Sequence, residues 1–379
     1  MTEARITRNE NPLPAAEREA ILARPEFGRY FTDHMVTMAY RDGQWGPLEL
    51  RPFAPLTLSP AALALHYGQS IFEALKAYRF ENGEVALFRP SINAARFDTS
   101  ARRIAIPELP PGAFEQACAL LVDVDRCWVP GADGAALYVR PFAFASEPHL
   151  SVRPATEYLF VVIASPVASY FGEHLSAITV GVEAMDVRAT PGGTGAVKFA
   201  GNYAAGFAAH TRAGQEGYDQ VLWLDATEHR WVEELNAMNV VFAWDRGGRV
   251  VLTTPPLTGT ILDGVTRDSV LTLARGGQVG SVTIDEVREE PTSIEMVRDG
   301  IEDGSLAEVF ACGTAAVVAP VGRLVDQGRV LTVGSGEPGP VTVALRRALL
   351  DVQQGRAADR HRWMVPIEEG LTALTEAST

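Results

Sequence analysis

Lysine is almost missing from this chain: among 33 basic side chains in 379 residues, Lys76 and Lys198 are the two lysines and the remainder are arginine. Cysteine is nearly as scarce. Cys118, Cys127 and Cys312 make no CxxC pair and no His/Cys metal spacing, which excludes a disulfide framework and a zinc site of that kind; they read as small buried hydrophobes, with no metal expected. Positive charge is in deficit. A formal net charge of −14 excludes the clustered Lys and Arg that nucleic-acid binding draws on. Long apolar runs are absent too, since YLFVVIASPVASYF is broken by Pro and Ser and falls short of the roughly 18 uninterrupted residues of a membrane span. The first twenty residues, MTEARITRNENPLPAAEREA, are charged throughout and hold no apolar h-region, so a cytoplasmic location is expected.

What is present is enough apolar residue, 47%, for a sizeable core, and a length that suits two domains. The pattern is mixed α/β, an α+β arrangement. MVTMAYRDG, SIFEALKAYRF, LYVRPFAFAS and YLFVVIAS read as extended, with helices over Ser91–Ala105 and Pro111–Trp128. Further on, AITVGVEA, DQVLWLD, NVVFAW, SVTIDEV and the pair around AEVFACGTAAVVAPV read as strands. Helices are expected from about Val265 to Ala274, at SIEMVRDGIEDG and at VTVALRRALLDVQ. Gly and polar residues in ASYFGEHLS place the boundary near 168–176. The expected division is a smaller N-terminal domain over 1–170, a loop over 171–181 and a larger domain over 182–379.

A composition that makes nearly every cation an arginine retains lysine where arginine chemistry fails. Arginine stays protonated, with a pKa above about 12. A lysine amine can be freed by burial to attack a carbonyl and form a Schiff base, as pyridoxal phosphate requires. Lys198 lies in PGGTGAVKFAGNYAAG among small residues that leave room for a flat ring, whereas Lys76 in FEALKAYRF has larger neighbours. Such a cofactor also needs a carboxylate at its ring nitrogen. WVEELNAMN offers Glu233 and Glu234 on opposite faces of an extended run, so one of them is expected to point inward. Its phosphate needs backbone N–H groups, which a helix starting at Val265 and Thr266 in LDGVTRDSV and a second turn in CGTAA can supply.

In order along the chain, HYGQSIFEALKAY, LFRPSINAARFDTSARR, LYVRP, VKFAGNY, VEELNAMN, LDGVTRDS and CGTAAVV resemble the branched-chain-amino-acid aminotransferases of the fold-type IV pyridoxal-phosphate enzymes, from about Phe27 to the last helix. The resemblance implies two domains with one pyridoxal 5'-phosphate in the cleft between them. It implies that Lys198 holds the cofactor and moves the proton between substrate Cα and cofactor C4′. Tyr203 would meet the phenolic oxygen and Glu234 the ring nitrogen, with Arg96, Val265, Thr266 and Thr314 on the phosphate. Tyr67, Arg140, Thr314 and Ala315 would hold the substrate carboxylate, and Phe72, Tyr138 and Tyr170 would wall the side-chain pocket. The implied activity is amino transfer from Leu, Ile or Val to 2-oxoglutarate by a homodimer that binds small amino and 2-oxo acids, with no nucleic-acid or membrane partner. The chain departs from the family pattern at Ala74, Phe199-Ala200 and Asn236-Ala237, near the cofactor or pocket. Ala74 and Asn236-Ala237 keep open an aminotransferase of a specialised pathway. A D-amino-acid aminotransferase, an aminodeoxychorismate lyase and a non-catalytic relative compete as well, the first two disfavoured by HYGQ and YVRP.

Overall fold

The computed structural model describes residues 4–171, 174–369 and 371. The chain divides into two compact units: 1–170 with 198–200 and 352–379, and 171–197 with 201–351. This differs from the expected division in two places. The segment around Lys198 and the C-terminal stretch both belong to the first unit, the latter because strand Met364–Pro366 pairs with Val85–Phe88 and Ile367 is fully buried. Gly172 and Glu173 of the expected loop lie outside the described residues, as do Gly370 and 372–379.

The first unit is built on a ten-stranded sheet. Its centre is the antiparallel pair Ala136–Ala145 and Tyr158–Val167, whose near-continuous apolar runs are buried along almost their whole length. Such a run cannot stand with one face in water, so helices cover it. Helix Pro90–Arg103 and helix Ala113–Val124 do so, joined to the sheet through Phe97, Phe114 and Phe160, whose ring centroids lie 5.4–6.4 Å apart. The expected helix to Trp128 stops at Val124 and continues as a tighter 3-10 turn, Arg126–Trp128. Cys127 sits in that turn and is exposed, contrary to expectation, whereas Cys118 and Cys312 are buried.

The second unit holds a nine-stranded mixed sheet. Strand Met238–Asp245 runs between Val250–Thr254 and Leu306–Gly313 and is buried up to Trp244. Helix Ile294–Glu302 starts where Ser293 accepts a hydrogen bond from Met296 N at 3.2 Å, and it packs Gly300 so close to Trp244 that a Cβ there would collide with the indole. SVTIDEV does not form one strand. It splits into Val282–Thr283, in a small hairpin, and Glu286–Glu289, on the edge of the large sheet.

One surface loop is fixed by charge. Glu147 Oε1 and Oε2 accept from Arg153 Nη2 at 2.6 Å and Nη1 at 3.1 Å, and Thr156 N donates to Oε2 at 2.6 Å. The Arg153 hydrogen bonds, with the Thr156 donors, hold this carboxyl down from 4.5 to about 2. A depressed folded pKa stabilises above the ordinary value and is lost as pH falls through the folded one. Glu147→Gln should therefore melt below the parent at pH 7, with the gap closing between pH 4.5 and about 2; a gap independent of pH in calorimetric scans would contradict this.

Candidate active site

In the first unit, a chain of hydrogen bonds fixes the lysine's backbone. Phe72 N donates to Lys198 O at 3.1 Å, Lys198 N donates to Ser100 Oγ at 3.0 Å, and Ser100 Oγ donates to Arg96 O at 2.9 Å. The Lys198 amine lies 4.8 Å from the centroid of the Phe72 ring, and the Arg140 guanidinium lies 4.7 Å from the same ring. Arg140 Nη2 also donates to the Tyr138 hydroxyl at 3.1 Å, and Phe27 meets the Tyr138 ring edge-on at 5.0 Å. The structure thus brings together four expected residues, Lys198, Phe72, Tyr138 and Arg140. It adds Phe27, which only its place at the start of the matching segment could have suggested.

Beneath this group lies a carboxylate that sequence reasoning missed. Glu73 is wholly buried and takes Arg96 Nε on Oε1 at 2.6 Å and Arg96 Nη2 on Oε2 at 2.8 Å, with Asn93 Nδ2 at 2.7 Å and Ala74 N at 3.0 Å also on Oε2. Burial pushes the Glu73 carboxyl up, but the Arg96 and Lys198 charges and the Asn93 hydrogen bond outweigh it and hold it below its ordinary range. Arg96 was expected on a phosphate; the structure shows two of its nitrogens engaged by Glu73. Ala74 is 3% exposed, so its methyl belongs to the interior. Tyr67 is exposed, its hydroxyl donating to Leu150 O at 2.5 Å, and Tyr170 is half exposed in the turn that ends the unit. Lys76 is buried in strand Leu75–Arg79.

In the second unit, strand Val232–Leu235 carries both glutamates, and both are buried, at 6% and 3% exposure for Glu233 and Glu234. One inward residue was expected; the strand is covered on both faces. Glu234 stands opposite Asn239, and Asn239 opposite Cys312, so the three share one face across neighbouring strands. Glu234 Oε1 is 2.7 Å from Arg188 Nε, an ion pair whose direction is poor for a hydrogen bond. Its Oε2 accepts from Asn239 Nδ2 and Leu262 N, both at 3.3 Å. Arg188 was missed because nothing in its local sequence marks it. Asn236, a departure from the family pattern, accepts from Trp223 Nε1 at 3.1 Å and bonds His210 Nδ1 at 2.8 Å, which ties the hairpin turn to helix Phe207–Gln215.

Helix Val265–Arg275 begins just beyond that face, after Gly264 in extended conformation. A Cβ on Gly264 would overlap the Asn239 side chain, so a larger residue there would have to displace that buried amide. Thr314 and Ala315 occupy the turn between strands Leu306–Gly313 and Val317–Asp326. The turn is strained, with β-branched Val317 at φ 63, and Arg346 Nη1 holds it by donating to Ala316 O at 2.5 Å and Val318 O at 2.9 Å. Cys312 below it is no thiolate, because burial pushes its pKa up to about 12 against the opposing charge of Arg267. Tyr203 is half-buried on helix Ala200–Ala205. Among the described residues no cluster of His, Cys, Asp and Glu could hold a metal, and no helix is long and apolar enough to cross a membrane.

A family model for class IV amino-transferases matches residues 70–324. The chain belongs to the class IV aminotransferases. It is 47% identical, over 95% of its length and 96% of the relative's, to the branched-chain-amino-acid aminotransferase of Mycobacterium tuberculosis, and 43% identical, over 90% and 94%, to branched-chain-amino-acid transaminase 1 of Bacillus subtilis. Among solved structures, the Escherichia coli branched-chain amino acid aminotransferase superposes with a TM-score of 0.70 at 26% identity, covering 88% of this chain and 99% of that one. A second branched-chain amino acid aminotransferase, solved with pyridoxamine 5'-phosphate, gives 0.67 at 27%, covering 87% and 98%. The cofactor of this family is pyridoxal phosphate. The donor set fits it within each unit: an amine over an aromatic face beside a buried anion in the first, and in the second a buried, paired carboxylate near a helix start that the chain enters through a closely packed glycine.

Glu73→Gln removes the counter-charge of a buried guanidinium, a change that costs about 3–5 kcal/mol when one partner of a buried pair is lost. The urea midpoint of the purified protein should fall accordingly, and an unchanged midpoint would show that Arg96 does not depend on Glu73.

Proposed function

We propose that this aminotransferase moves the amino group of Leu, Ile or Val to 2-oxoglutarate, giving branched-chain 2-oxo acids and L-glutamate. The observation that carries the reading is the group Phe72, Tyr138 and Arg140 around the Lys198 amine, one guanidinium set among aromatic walls, in a chain 47% identical to a branched-chain enzyme. Bound, pyridoxal phosphate supplies an electrophilic carbonyl and a ring that accepts the electrons of the substrate Cα–H bond. Lys198 would hold it through its amine, and the same Nζ would carry the proton at substrate Cα. Glu234, paired with Arg188, keeps the proton on the ring nitrogen. Arg96 of the first unit would face the phosphate; in the second, Val265, Thr266 and Thr314 would offer it donors and Tyr203 would meet the phenolic oxygen. Arg140, by its planar fork, and Tyr67 would take the substrate carboxylate in the first unit, and Thr314 and Ala315 are the candidates for that role in the second. Phe72, Tyr138 and Tyr170 exclude water from an apolar side chain. The same reading carries a homodimer in the cytoplasm, acting on free amino and 2-oxo acids.

The test mixes holoenzyme with L-Leu, L-Ile, L-Val, L-Phe, L-Met and D-amino acids and follows the cofactor absorption. Rapid bleaching with at least one branched-chain L-amino acid is expected; ready reaction with D- or aromatic amino acids alone would overturn the substrate assignment. Borohydride reduction and peptide mapping should place the pyridoxyl group on Lys198, and a label on Lys76 would refute that role. Lys198→Arg should be as inactive as Lys198→Ala, because charge without a free amine is not a nucleophile.

Glu234→Gln should lower kcat by roughly 10²-fold or more, since a preorganised charge acts most where charge develops. Loss of substrate affinity alone, with kcat intact, would place Glu234 outside the reaction.

A further inference from the structure

Both backbone groups of Lys198 are held, one of them by a side chain. Its carbonyl accepts from Phe72 N at 3.1 Å, while its N–H is taken at 3.0 Å by the hydroxyl of Ser100, a wholly buried residue of helix Pro90–Arg103. A serine hydroxyl has one proton to give. Here it goes to Arg96 O, four residues back, at 2.9 Å, which leaves a lone pair for the lysine N–H. The arrangement closes on itself: Arg96 grips Glu73 through Nε and Nη2, Glu73 follows Phe72 in the chain, and Phe72 returns to Lys198. Two further contacts brace it. Phe199 bridges to Ile71, and Glu73 N donates to Pro141 O at 2.7 Å, which pins the ring to strand Ala136–Ala145.

On local grounds serine is a poor choice for that position. In a buried helix interior alanine has the higher propensity and brings no polar atom, and a serine bonded back to its i−4 carbonyl slightly weakens the helix. Thr99 makes the same back-bond, to Ala95 O at 2.9 Å, but it stands on the exposed side, where water serves a hydroxyl equally well. A buried residue that breaks a local rule is accounted for by what else it touches, and Ser100 touches the lysine backbone. We propose that Ser100 is a positioning residue for amino transfer: its hydroxyl sets the backbone of Lys198 and, through it, the place of the amine 4.8 Å from the centroid of the Phe72 ring. This rests on the reading that Lys198 holds the cofactor. Loss of the hydroxyl removes the acceptor of the lysine N–H, and a displacement on the order of 1 Å is enough to slow a reaction by about 10²-fold. Ser100 is wholly buried with its hydroxyl engaged on both sides, so it takes no part in holding substrate, and the loss falls on kcat and not on KM.

The test follows the half-reaction of the holoenzyme with whichever amino acid reacts fastest with the parent, in Ser100→Ala, Ser100→Cys, Ser100→Thr and Thr99→Ala. Each variant is also given a thermal midpoint and a pH titration of its cofactor absorption band. Ser100→Ala, and Ser100→Cys with its weak sulfur acceptor, should lower the saturating rate by about tenfold or more with KM unchanged, and should move the pH midpoint of the band. Ser100→Thr, whose Oγ1 can make the same i−4 bond in a helix, should restore most of the rate. Thr99→Ala, which removes a back-bond of the same kind away from the lysine, should leave rate, KM and pH midpoint as in the parent. An unchanged rate in Ser100→Ala, a loss confined to KM, a folded Ser100→Thr no faster than Ser100→Ala, or an equal loss in Thr99→Ala would each overturn the proposal; if Ser100→Ala does not fold, Ser100→Cys decides. Borohydride mapping of the parent separates the two readings. A label on another lysine overturns this proposal together with the Lys198 assignment, whereas a label on Lys198 with Ser100→Ala and Ser100→Cys as fast as the parent overturns this one alone.

Discussion

A carboxylate taken out of water must be given a partner, and this single constraint organises both units. Five buried or nearly buried glutamates show the available solutions. Glu73 takes the fork of Arg96, and Glu234 takes Arg188. Glu183 takes Arg212 with two backbone N–H groups, and Glu147 takes Arg153 with Thr156. Glu308 pairs with no cation among the described residues: the start of helix Pro340–Gln353 supplies Val341 N, Thr342 N and the Thr342 hydroxyl. In each case the charge is fixed in place by groups that cannot easily move, which is what a catalytic carboxylate needs.

The same constraint explains which residues surround the candidate site. Glu73 holds Arg96, Asn93 and the Ala74 backbone at once, so the helix Pro90–Arg103 and the strand leading to Lys76 are set by one buried charge. Asn239 bridges Glu234 and Leu262 O and fills the space over Gly264, which joins the sheet to the start of helix Val265–Arg275. Arg346 acts similarly on the strained turn after Gly313, where a valine at positive φ would relax without the two carbonyls being held. Glu233 stands out against this background, with one oxygen held by the Thr260 hydroxyl and the other buried with no hydrogen-bond partner among the described residues.

Much of the fold could be read from the chain because its signals are local. The helix Val265–Arg275, the hairpin around CGTAA and the long strands Ala136–Ala145 and Tyr158–Val167 follow from turn residues and apolar runs. Lysine scarcity singled out Lys198, whose amine the structure sets 4.8 Å from the centroid of the Phe72 ring, and the ordered motifs carried the family. The helices Ala15–Ala23 and Phe207–Gln215 escaped, the first because it buries none of its residues and so has no apolar stripe to betray it.

The sequence by itself determined the family, because seven motifs in order along the chain carry a resemblance that the class IV model over residues 70–324 bears out. It also determined the opposed directions of Glu233 and Glu234, a consequence of the strand's period of two. Only the tertiary structure decided that both glutamates are buried, that Arg188 and Arg96 serve as counter-charges to Glu234 and Glu73, and that the C-terminal strand returns to the first sheet. Those facts rest on partners 23 to 46 residues away or farther, such as Arg96 for Glu73 and Arg188 for Glu234, and no local pattern of side chains records which distant cation will meet which buried acid.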